Sequence, residues 1–124
     1  MRSSPRQPRS LAHGDRLYLS HILDAADRIE HYLAGVELVA FLDDFLRQDG
    51  VIRQLAIIGE AVKRLSPDLR SSATDVPWTD IAGMRDRLVH DYMGVDLEAV
   101  WKTAKEDVPA LREVVRRLLA TNIG

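Results

Sequence analysis

The chain has 124 residues, a mass of 14.0 kDa and no cysteine, which excludes disulfides, thiol catalysis and thiolate metal sites. Its 17 lysines and arginines against 19 aspartates and glutamates leave a net charge of −2, so no bulk basic surface announces a nucleic-acid partner. One domain is expected at this size. No apolar run approaches the roughly 18 residues of a membrane span, so the expectation is a soluble, cytoplasmic protein without membrane contact.

Residues 1–14 read as a disordered basic tail. Arg2, Arg6 and Arg9 stand among Ser, Pro and Gln with no acid in the first ten positions, which leaves the rest of the chain more acidic still. A helical domain is expected over residues 15–122. Asp15 suits an N-cap, and Leu19, Ile22, Leu23, Ala26, Ile29 and Leu33 recur at helical spacing up to Gly35. A short helix is predicted over 38–47. The next is predicted over 49–65, with Val51, Leu55, Ile58, Val62 and Leu65 in one stripe, widened by Ile52 and Ile57, and with Pro67 beyond its end.

Residues 66–77 are polar and proline-bearing, and read as the one long connection. A fourth helix is predicted from about 77–80 to Gly94. Asp96 then caps a fifth, whose stripe runs through Leu97, Val100 or Trp101, Ala104, Val108, Leu111, Val115 and Leu118. That stripe keeps its phase across Pro109, which predicts one helix kinked there or two nearly collinear ones. No segment alternates with period two long enough for a strand. The fold class expected is all-α, an up-and-down bundle of four to five helices. The wide apolar faces point to self-association.

Few residues invite chemistry. No Gly-rich phosphate loop, HExxH or GxSxG is present. His21 and His31 lie about 280° apart around their helix and cannot share a metal; they read as surface groups paired with Asp24 and Asp27. Asp43-Asp44 reads as a solvated helix face, and His13 carries no signal.

The run MRDRLVHDYMGVD, residues 84–96, differs. On an ideal helix Ile81, Met84, Leu88 and Tyr92 fall within about 80° and face the core. Arg85 lies about 20° from Tyr92, where a guanidinium needs an anion or an interface. Asp86 and His90, four apart, are about 40° apart on that helix, so the carboxylate orients the imidazole and favours its protonated form. The last helical turn before Gly94 favours it as well. By spacing alone, a surface Asp–His pair and an arginine ion pair at a helix end account for the same residues.

Arg85, His90 and Tyr92 together match R-x4-H-x-Y, and the run resembles the signature of HEPN-domain proteins, with Asp86 as the polar residue that follows the arginine. The likeness extends over IGEAVKRLSPDLR (residues 58–70), DVPWTDIAGMRDRLVHDYMGVDLEAVW (75–101) and the final helix with Pro109. Covering about residues 18–119, it is similar to the HepT-like branch, toxins of HepT/MntA toxin–antitoxin systems.

The resemblance implies a metal-independent RNA endonuclease toxin that needs no cofactor, with Arg85 and His90 catalytic and Asp86 in support. It implies a homodimer or higher homo-oligomer, because one chain carries one motif histidine and an ideal helix sets Arg85 and His90 about 140° apart. It also implies an MntA-type nucleotidyltransferase antitoxin that transfers AMP to Tyr92, and an RNA substrate such as tRNA. The rival expectation is a catalytically weak HEPN module that binds a nucleotidyltransferase, which the acidic body favours. A third is a regulatory, substrate-binding subunit of such an enzyme.

Overall fold

The structure, a computed structural model, describes residues 12–91 and 94–121. The predicted tail up to Leu11 lies outside the described residues. In chain order the elements are α1 (His13–Leu33), α2 (Leu38–Leu42), α3 (Phe45–Lys63), α4 (Pro67–Ser72), α5 (Trp78–Ala82) and α6 (Met84–Leu88). The strands β1 (Val89–Asp91) and β2 (Gly94–Val95) follow, then α7 (Leu97–Lys102), a π-helical turn (Thr103–Asp107) and α8 (Val108–Thr121). The fold is an all-α bundle.

The stripes read from the sequence form its core. Leu19, Ile22 and Ile29 of α1 are fully buried against Val51, Leu55, Ile58 and Val62 of α3, with Val100 and Val115 closing the third side. Each such side chain contributes about 1.5–3 kcal/mol, far more than an exposed ion pair such as Lys63–Glu60. Apolar spacing therefore decides the packing. Gly35 follows α1 at φ 73°, in the left-handed region where a Cβ would be strained.

Three local features differ from expectation. Asp15 does not cap α1, which starts at His13 after an Ala12 N-cap. Asp15 is buried instead and accepts hydrogen bonds from the Ser66 amide (2.8 Å) and hydroxyl (2.6 Å). The short helix ends at Leu42, because Asp44 caps α3 by accepting from the Arg47 amide (3.0 Å), and Gln48 Nε2 donates to the Phe41 and Leu42 carbonyls. Asp44 is thus a cap, its carboxyl held below the ordinary range first by the Arg47 backbone amide. The connection after α3 contains α4, started by Ser66 and Pro67.

The irregularity expected in the last helix falls just before Pro109. The backbone stays right-handed helical from α7 into α8, but the Val108 amide bonds back to Thr103, five residues earlier. Pro109 has no N–H to give, and its ring would crowd the Lys105 carbonyl in a regular helix. The wider π turn just ahead of it relieves that conflict. Asp96 caps α7 as expected, accepting from Ala99 (3.0 Å).

Candidate active site

The segment with R-x4-H-x-Y is held by two devices. Trp78 is buried at the start of α5 and its indole donates to the Ala73 carbonyl (3.0 Å). Gly59 on α3 lets the end of α5 approach closely: a Cβ there would lie 3.2 Å from the Ala82 carbonyl oxygen. After Gly83 the chain makes one further helical turn, α6, whose Met84 and Leu88 are buried while Arg85, Asp86 and Arg87 face solvent. Arg87 donates to the Asp80 carbonyl (2.9 Å), which ties α6 back to α5.

The predicted helix does not continue to Gly94. It stops at Leu88, and the backbone extends as β1, pairing antiparallel with β2 through Val89–Val95 and Asp91–Gly94. The Asp96 amide bonds to the Leu88 carbonyl (3.1 Å) and closes the hairpin. Two valines in a cross-strand pair favour extended backbone.

His90 lies on β1 and not in a last helical turn, so the ideal-helix geometry from which the Asp86 pairing and the helix-end effect were drawn does not describe its backbone. The separation of Arg85 and His90 drawn from an ideal helix lapses too, since the second residue is off the helix. Tyr92, expected on the core-facing stripe, lies outside the described residues.

Arg85 is half exposed, with Asp86 as its carboxylate contact at 3.8 Å. It opens onto a groove of about 650 Å³ along α1 and α3, floored by Ile52, Ala56 and Ile57. Arg53 and Arg64 line this groove with Arg85, as do Tyr18, His21, Asp49 and Glu60. The rings of Tyr18 and His21 meet edge to face at 5.7 Å. A recess beside it is lined by His21, Asp24, Arg28, Arg53 and Gln54. Sequence reading missed Arg53 and Arg64, although Arg53, Ile57, Glu60 and Arg64 repeat at helical spacing on one stripe. Asp27 pairs not with His31 but with Arg112 (2.6 Å), which also reaches Glu30 and whose pKa is raised chiefly by the Asp27 hydrogen bond.

Comparison with known proteins gives the family. A family model described as "Ribonuclease HepT-like" matches residues 22–118. A Thermococcus cleftensis protein named "Probable ribonuclease HepT" is 42% identical over 101 residues, covering 82% of this chain and 92% of the relative. A protein of Caldanaerobacter subterraneus subsp. tengcongensis that carries an RNase name is 38% identical over 104 residues, 84% of this chain and 93% of its own. No solved structure gives a significant match. With an all-α bundle and a family match across most of its length, the chain belongs to the HepT-like ribonuclease family.

Proposed function

We propose that this protein is a metal-independent RNA endonuclease, the toxin of a type VII toxin–antitoxin pair, with Arg85 and His90 as its catalytic groups. The observation that carries the reading is Arg85: a half-exposed guanidinium opening onto a groove, in a chain of the HepT-like family. In such cleavage the ribose 2′-oxygen attacks the adjacent phosphorus and the bond to the 5′-oxygen breaks. A neutral imidazole takes the 2′-OH proton, and a protonated one gives a proton to the leaving oxygen. Arg85 donates two N–H groups to the phosphate oxygens where charge accumulates. Asp86 supports it by steadying the guanidinium.

One chain supplies one motif histidine, so the working unit in this reading is a two-fold homodimer, which can assemble further. Tyr92 is the control point. Its phenolic oxygen attacks the α-phosphorus of ATP on an MntA-type nucleotidyltransferase, pyrophosphate leaves, and the attached AMP places a phosphate in competition for Arg85. Structured RNA such as tRNA is the substrate class.

The test is cleavage of cellular RNA by the purified chain and its variants. His90→Ala should slow cleavage about 100- to 10,000-fold, and Arg85→Ala should be comparably severe. Variants that cut as fast as wild type defeat the assignment. A wild-type chain that binds its nucleotidyltransferase yet cuts nothing makes the interaction-module reading the correct one.

A further inference from the structure

We infer that the groove along α1 and α3 is a track for unpaired RNA, in which Arg53 and Arg64 hold phosphates that flank the one at Arg85 and Gln54 contacts the nucleotide between. The inference rests on the nuclease reading above and adds residues outside its motif. Arg53, Ile57, Glu60 and Arg64 follow at spacings of four, three and four on α3, so the two arginines share one face about 16 Å apart along the axis, the span of a few nucleotides. Neither has an ion-pair partner among the described residues, and both line the groove with Arg85.

The anions nearby do not cancel them. Asp49 and Glu60 line the same groove and Asp24 the recess, but Glu60 is already engaged by Lys63 at 3.2 Å, and Arg28 adds a further cation at the recess. On a chain with net negative charge, unpaired arginines gathered in one groove mark an anionic occupant.

Two further observations make that occupant a single strand. Gln54 is 6% exposed and lines the recess, and its side-chain amide has no hydrogen-bond partner among the described residues. A buried amide left unpaired is costly, and a base edge or a 2′-hydroxyl supplies both the donor and the acceptor it lacks. The Tyr18 and His21 rings stand in the same groove, and aromatic rings and guanidinium planes stack on unpaired bases, which a duplex does not present.

The test is equilibrium binding of the full chain, carrying His90→Ala to prevent cutting, to an unstructured oligoribonucleotide and to a duplex of equal length. The single strand should bind more tightly. Arg53→Gln and Arg64→Gln should each weaken binding about tenfold and lower the slope of log K against log salt by about 0.7. Arg→Lys at either position should restore the slope. Gln54→Leu should weaken binding with the slope unchanged, and Arg116→Gln, on α8, should alter neither.

Slopes unchanged in folded Arg53 and Arg64 variants overturn the track, as does preference for the duplex. A change in solution mass without a change in RNA binding means that protein, not RNA, covers the groove, and overturns it too. If the arginine variants bind as wild type while His90→Ala abolishes cleavage, the track fails and the nuclease site stands. If the slopes fall as expected while His90→Ala still cuts, the track stands and the catalytic assignment fails.

Discussion

Asp15 joins the first turn of α1 to the start of α4 through one carboxylate. It takes the Ser66 amide and hydroxyl, while the Ser66 hydroxyl accepts from the Leu69 amide and starts α4. Hydrogen bonds to a charged group are worth about 1.5–3 kcal/mol, and Asp15→Ala leaves both Ser66 donors without their acceptor in a partly buried place. Thermal or urea unfolding should show a loss of about 2–3 kcal/mol, with Ser66→Ala showing part of it; equal stability would mean water replaces the carboxylate. The sequence named Asp15 as a helix starter because local pattern cannot distinguish a cap from a tertiary hydrogen bond across 51 residues. At Asp44 the same limit hid a cap inside what reads as a solvated acidic pair.

At the scale of elements, the contact between α3 and α5 sets where Arg85 stands. Gly59→Ala gains up to about 1 kcal/mol of helix propensity, but its methyl would meet the Ala82 carbonyl at 3.2 Å. The obstacle is backbone, which gives way less easily than a flexible side chain. Overpacking of this kind costs about 1–3 kcal/mol, so the net effect expected is destabilisation of about 1 kcal/mol. Because α6 follows α5 after Gly83, RNA cleavage should fall by more than stability alone explains. Calorimetry and cleavage rates on one preparation check this, and a Gly59→Ala chain that is more stable and fully active would show that α5 moves freely. The hairpin is the element least legible in sequence. Its strands are too short to alternate, and one helical turn preceding Leu88 blends into the same apolar spacing.

The whole molecule presents apolar surface that a lone bundle leaves uncovered. Val39, Phe45 and Leu46 are largely exposed at the α2–α3 corner, and Val95 is 38% exposed on the hairpin that carries His90. A two-fold cleft built around Arg85 and His90 would cover Val95. Light scattering should then give twice the 14.0 kDa chain mass, and Val95→Asp should halve it and depress cleavage together. A Val95→Asp chain that stays dimeric and active would move the interface elsewhere, with the α2–α3 corner as the exposed alternative.

The apolar periodicity of α1, α3 and the final helix determined the all-α bundle and its core, because burying those stripes outweighs every local preference along them. The R-x4-H-x-Y run was equally legible, since it is a matter of residue order. Where α6 ends, and which groove Arg85 faces, were decided only in three dimensions. The hairpin pairing, the close approach at Gly59 and the convergence of Arg53, Arg64 and Arg85 depend on contacts between segments far apart in the chain. No local spacing encodes those contacts.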